Sequence, residues 1–312
     1  MPLHAIRICL LISLSCIGLA LIAQKDTFRK LVDDKKYKEA YQLADKELKK
    51  QPEDAEWNYM KWKASLLAGM DVKANFPLIN KAIELNPSYS EAYCERGLFF
   101  LNILRFDDAK EDFEAAIKFA NTDSLKNSAL LGLGSYYSST RQHEKAVAVY
   151  LSVLKQDSLN PGALNNLAMG YQDLGKFKEA LEILYKIEKL NPDVIYAVVN
   201  IGFVLTKLED YATAVTYFNK AEKISKEEPL IYSNRAFAKY KLKDYSGALT
   251  DINKSIKMFE TNSYAYMVRA RIYLDKGEKE KACADLYTSL QYKYTEMYGD
   301  DVKELRDKHC IK

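Results

Sequence analysis

Apolar and small residues recur along this chain at spacings of three and four, and the whole pattern itself recurs. Residues 161–193 read PGALNNLAMGYQDLGKFKEALEILYKIEKLNPD. Leu164, Leu167, Ala168 and Tyr171 mark one face of a first helix, because steps of three and four follow the helical turn. Gly175 and Lys176 interrupt the pattern, and Ala180, Leu181, Leu184 and Ile187 resume it as a second helix. Pro192 stops that helix, since the residue before a proline is pushed out of helical geometry. The segment predicts two amphipathic helices joined by a tight turn.

With Pro161 as position 1 of a 34-residue frame, the same residue classes return at fixed places. Position 20 is Ala109, Ala146, Ala180, Ala214, Ala248 and Ala282, and Ala40 fits a first unit. An insertion near Asn121 to Lys126 shifts the phase by three. Position 8 is Gly97, Gly134, Ala168, Gly202, Ala236 and Ala270, and position 24 is Phe113, Tyr150, Leu184, Phe218, Ile252 and Leu286. Small residues at 8 and 20 let two helices approach, and a larger side chain there would cost roughly 1–3 kcal/mol.

This set at positions 4, 7, 8, 11, 20, 24, 27 and 32 resembles the tetratricopeptide repeat, in the manner of exported bacterial members. The resemblance covers roughly residues 25–294. It implies an all-α, right-handed superhelical solenoid of about eight helix pairs, each packing on its neighbours. The expected repeats are 24–55, 56–89, 90–126, 127–160, 161–194, 195–228, 229–262 and 263–294, with a capping helix over 295–312. The second repeat fits worst, with Lys63 at position 8, Asn75 at position 20 and Pro77, which is expected in the first turn of a late-starting helix. In the cap, Asp300 is the expected N-cap, and Val302, Leu305 and His309 share a face.

Residues 1–23 stand apart. Arg7 precedes an uncharged run from Ile8 to Ala23, which reads as a secretory signal peptide cleaved after Ala23. Ser15–Cys16 offers a weaker lipoprotein reading. If the run 8–23 is instead retained as an anchor, Lys25, Arg29, Lys30, Lys35, Lys36 and Lys38 outnumber Arg7 and would hold the repeats on the cytosolic side of an inner membrane. The expected location is the periplasm or cell envelope, with the anchored form as the alternative.

Charge narrows the partners. Lys plus Arg is 46 and Asp plus Glu 43, so there is no basic field for nucleic acid. Some charges are patterned. Position 7 is Arg96, Arg235 and Arg269 in three repeats, and position 23 of those repeats is Asp112, Asp251 and Asp285. Elsewhere both positions are uncharged, as at Leu167 with Ile183 and Ile201 with Tyr217. The co-occurrence predicts an ion pair between the helices of one repeat, since a buried charge must be paired.

Catalytic chemistry is sparse. His4 lies in the leader, His143 takes an aromatic packing position, and His309 is terminal. Neither a metal-ligand spacing nor a phosphate-binding or nucleophile motif is present, so no enzyme activity, cofactor or metal is expected. Beyond the leader stand Cys94, Cys283 and Cys310. A Cys283–Cys310 bridge would pin the cap, and two separate thiols are the alternative.

In the tetratricopeptide family, first-helix positions 2, 5, 6, 9, 12 and 13 line the concave face. Carried onto this chain, position 6 gives Asn166, Asn200 and Asn234, position 2 gives Tyr196 and Tyr264, and position 9 gives Met169, Phe203, Phe237 and Arg271. Position 12 adds Gln172, Thr206 and Tyr240. Amides could pair with a peptide backbone and the aromatics could form apolar pockets, so a protein or peptide partner in a groove across repeats five to eight is expected. Residues 232–252 resemble chaperone-binding cochaperone repeats, but Phe203 stands where Asn is needed and Tyr264 and Val268 where basic residues are needed. The carboxylate clamp is therefore absent. The resulting expectation is a non-catalytic binding scaffold. A membrane-anchored assembly factor and a regulatory subunit of an enzyme complex are the alternatives.

Overall fold

The computed structural model describes residues 22–310, so the leader expectation lies almost wholly outside the described residues. Helices α1 (22–33), α2 (Tyr37–Lys50), α3 (Ala55–Leu67), α4 (Val72–Leu85), α5 (Ser90–Asn102), α6 (Phe106–Phe119) and α7 (Asp123–Ser139) come first. There follow α8 (His143–Gln156), α9 (Pro161–Asp173), α10 (Phe177–Leu190), α11 (Ile195–Lys207), α12 (Tyr211–Ile224), α13 (Pro229–Lys241), α14 (Tyr245–Met258), α15 (Ser263–Asp275), α16 (Lys279–Gln291), α17 (Tyr294–Tyr298) and α18 (Asp301–His309). The fold is an all-α repeat solenoid, with no strand among the described residues. None of these helices is long and apolar enough to cross a membrane. The chain forms two compact lobes, one through Tyr136 and one from Tyr137.

Local sequence sets the helix ends. Asp54, Asn160, Asp210, Asp244 and Asn262 each accept a backbone N–H of the following helix's first turn. Pro161 and Pro229 begin α9 and α13, where a missing N–H leaves no bond unmade. Within most repeats the turn passes through one left-handed residue, such as Gly175 at φ 68° or Glu209 at φ 63°.

From repeat three onward, packing follows a size rule that links position 8 to position 24. A Cβ added to Gly202 would lie 2.7 Å from the buried Phe218 ring, and one added to Gly97 would lie 2.9 Å from Phe113. Phe113 also presses on Gly132, so its ring lies between two glycines. Where position 8 is alanine, position 24 is aliphatic: Ala168 with Leu184, Ala236 with Ile252 and Ala270 with Leu286, all fully buried. Ring plus glycine and branched chain plus alanine thus fill the same space.

Four expectations need correction. Helix α3 begins at Ala55, one residue early, which puts Trp62 rather than Lys63 in the eighth place. Trp62 is buried and meets Phe76 and Phe99 edge-on at 5.9 and 5.6 Å. Pro77 lies inside α4, not in its first turn, because Asp71 caps the helix through Lys73 and Ala74. Pro77 and Lys73 are both exposed, so water can reach the Lys73 carbonyl that the proline leaves without its helical donor. The insertion near residue 121 is helical from Asp123, extending α7 to 17 residues where the other first helices from α3 to α15 have 13. The cap is two short helices, separated by Gly299 at φ 103°, and the Asp300 side chain binds Lys303 instead of capping α18. Val302 is buried, with Leu305 packed beside it.

The size rule predicts a reversal of sign. Gly202→Ala should destabilise the protein by about 1 kcal/mol, because overpacking against Phe218 exceeds the gain in helix propensity. In a Phe218→Leu background the same change should stabilise by about 1 kcal/mol. Chemical denaturation of the four proteins checks it, and equal effects in both backgrounds would refute the rule.

Candidate binding strip on the first helices

The candidate residues all fall in the second lobe, on helices α9, α11, α13 and α15. Asn166 accepts a hydrogen bond from Asn165 at 3.3 Å, whereas Asn200 and Asn234 make none among the described residues. All three amides are half-buried, so their polar ends reach the surface while their stems are packed. Met169 and Tyr196 stand 51% and 40% exposed. Phe203 is half-buried against the core of repeats five to seven, beneath the Lys207 ammonium at 5.2 Å. The candidate aromatics are thus unequal, with Tyr196 on α11 exposed and Phe203, Phe237, Tyr240 and Tyr264 half-buried.

Toward the C terminus the rings join. Tyr245 lies 6.1 Å from Tyr240, Tyr240 6.2 Å from Phe237, and Phe237 6.2 Å from Tyr264. Tyr264 continues to Tyr298 at 5.6 Å, and Tyr298 to Tyr294 at 4.9 Å, both on α17. Arg271 Nη2 binds Asp301 Oδ2 at 2.8 Å and Arg271 Nε meets Met267 Sδ at 3.0 Å. Tyr264 and Arg271, expected on an open groove, are therefore engaged by the chain's own C-terminal segment. Burial, with nearby Tyr294 and Tyr298 adding to it, pushes the Tyr264 phenol well above its ordinary pKa, so it stays protonated.

Between the two helices of three repeats, Arg96 meets Asp112 through two bonds of 2.7 Å, Arg235 meets Asp251 at 2.8 and 2.7 Å, and Arg269 meets Asp285 at 2.7 and 2.8 Å. Each arginine spends its third donor nitrogen on a residue sequence reasoning missed: Asn80, Asn219 or Asn253 of the preceding repeat, at 2.8, 2.7 and 2.7 Å. Asn and Asp lie 16 residues before and after each Arg, and that symmetric spacing was the available signal. The guanidinium thus ties two successive repeats. Arg235 also holds Glu222 at 2.6 Å.

His143 Nδ1 lies 3.4 Å from Asp173 Oδ2 at the start of α8. Cys283 and Cys310 are joined by a disulfide, and Cys94 is free. Burial, reinforced by Glu95, pushes the Cys94 thiol up to about 12, which leaves it a poor nucleophile at neutral pH. No group of His, Cys, Asp and Glu able to hold a metal occurs among the described residues.

Comparison with known proteins agrees with this architecture. Models described as tetratricopeptide repeat match residues 94–161, 162–187 and 195–228. The chain is a member of the tetratricopeptide-repeat family. No curated protein matches it in sequence. Among solved structures it is similar to a chain of the APC/C hetero-tetramer Cut9–Hcn1, at 17% identity and a TM-score of 0.65. That match covers 90% of this chain but 55% of the other, so this chain spans about half its length. It is also similar to pilF of Pseudomonas aeruginosa, at 20% identity and a TM-score of 0.57 over 70% of this chain and 97% of that one. A tetratricopeptide-repeat protein of Thermus thermophilus, TTC0263, matches at 17% identity and a TM-score of 0.50, over 59% of this chain and 98% of its own. Likeness at these identities is a likeness of fold.

The ion pairs give a measurable asymmetry. Asp285→Ala alone should cost about 2–3 kcal/mol, because the partly buried Arg269 is left without its carboxylate. Arg269→Leu with Asp285→Ile, the combination already present at Leu167 and Ile183, should stay within about 1 kcal/mol of the parent. Thermal and denaturant unfolding of the two variants decide it, and equal losses in both would contradict the pairing account.

Proposed function

We infer that this protein, like tetratricopeptide-repeat proteins as a class, is an interaction module. We propose that the protein is a non-catalytic scaffold that holds an extended segment of a partner protein along the first helices of repeats five to seven. The observation that carries this reading is the run Asn166, Asn200 and Asn234. Two of these amides have no hydrogen bond among the described residues and stand at one helical position in successive repeats. An amide donates and accepts at once, which suits the alternating groups of a peptide backbone. Met169 and Tyr196 beside them offer apolar contact area for side chains of the bound segment. The three asparagines, Met169 and Tyr196 are uncharged, so what they select is a backbone and apolar side chains.

The test is affinity capture of the native protein from its cells, beside the triple variant Asn166→Ala/Asn200→Ala/Asn234→Ala. The expected outcome is a partner retained by the parent and weakened at least about tenfold by the variant, which keeps its folded circular dichroism. A partner held equally by both would move the interface off this strip. The same preparation reads the N-terminal residue: Gln24 supports export with cleavage, and an intact leader supports the anchored alternative.

A further inference from the structure

The asparagine run stops at repeat eight, where position 6 is Val268, fully buried. Its neighbour at position 5, Met267, is almost fully buried too, as Ser233 is at that place in repeat seven, whereas Asn165 and Val199 are half-exposed. The same buried cluster holds Tyr294 and Val302 from α17 and α18. Tyr298 lies tilted against Tyr264, and Asp301 takes the Arg271 guanidinium that also contacts Met267. Tyr264 and Arg271 of repeat eight are therefore engaged by the protein's own C-terminal segment, and Met267 and Val268 are buried in the core it shares.

The attachment has two unequal parts. The non-covalent part is small: two helices of five and nine residues, an ion pair in which both side chains are about a third exposed, and a few rings. The covalent part is the Cys283–Cys310 disulfide, which fastens the far end of α18 to α16. Both cysteines are half-buried and so within reach of a reductant. A nine-residue helix freed of its tether is marginal in water.

We propose that residues 294–310 are a releasable plug on the end of the binding strip, latched by the Cys283–Cys310 disulfide. A dithiol reductant gives up two electrons and two protons, the bond between the sulfurs breaks into two thiols, and the reductant leaves as its own disulfide. Release lengthens the strip by one repeat, adding Tyr264, Met267 and Arg271 to the surface open to a partner. The consequence for binding rests on the strip reading above. The release itself does not, and it is tested without a partner.

Methionine oxidation by peroxide reads the plug directly in the full chain. Met267 lies in the buried cluster that holds Tyr294 and Val302, exposed Met169 is the reference for free reaction, and buried Met60 reports opening of the first lobe. In Cys310→Ser, Met267 should oxidise about tenfold or more faster than in the disulfide-bonded parent, with Met60 unchanged. Hydrogen exchange of the parent after dithiol reduction should show α17 and α18 unprotected while α15 and α16 remain protected. Tyr298→Ala with the disulfide intact should keep Met267 slow, because the latch still holds. Met267 staying protected after the latch is removed would make the segment a fixed cap. Loss of protection in α15 and α16 together with α18 would make it an integral part of the last repeat. Either result overturns the proposal, while failure of the asparagine variant to lose a partner would leave it standing.

Discussion

The close crossing of the two helices within each repeat is the constraint on which the rest depends. In repeats three to eight one side of the crossing is small, and the structure meets the constraint with a paired choice at positions 8 and 24, whereas repeat two fills the eighth place with Trp62. Glycine faces a phenyl ring at Gly202 and Phe218, and alanine faces leucine at Ala168 and Leu184. Because each choice fills the same volume, successive repeats keep the same spacing despite different core residues. A repeat protein has few long-range contacts to absorb a local misfit, so a misfit in one repeat is passed to its neighbour.

That regular spacing lets single side chains link repeats. An Arg at position 7 reaches the Asp of its own second helix and the Asn of the preceding one only because both lie at fixed offsets. Where the tie is missing, as at Leu167 and Ile201, apolar packing takes its place, and both residues are fully buried. The first helices then present their remaining face outward in register, so that Asn166, Asn200 and Asn234 form a row although they are 34 residues apart. The row ends where Val268 replaces asparagine and the C-terminal segment begins to pack.

Much of this was legible in the sequence, because a 34-residue period averages out local ambiguity. The alanines at position 20 and the arginine–aspartate co-occurrence lie on the chain as patterns, and the structure buries each alanine and sets each arginine against its aspartate. What was not legible was set by single departures from the period. Pro77 survives inside α4 because its side of the helix is exposed, a fact of packing that no local pattern carries. Trp62 displaced Lys63 from the crossing because one extra residue in the turn after α3 shifts the frame. Tyr264 and Arg271 looked open because the segment that covers them, α17 and α18, lies outside the repeat.

The central claim is that the partner lies on the first-helix face of repeats five to seven. A photo-activated cross-linking residue placed in the native protein at Met169, Phe203 or Phe237, and in parallel at Leu190 or Tyr287 on second helices, tests it most directly. The account predicts one partner cross-linked from the first set and absent from the second. Cross-links to that partner from Leu190 or Tyr287 alone would contradict it.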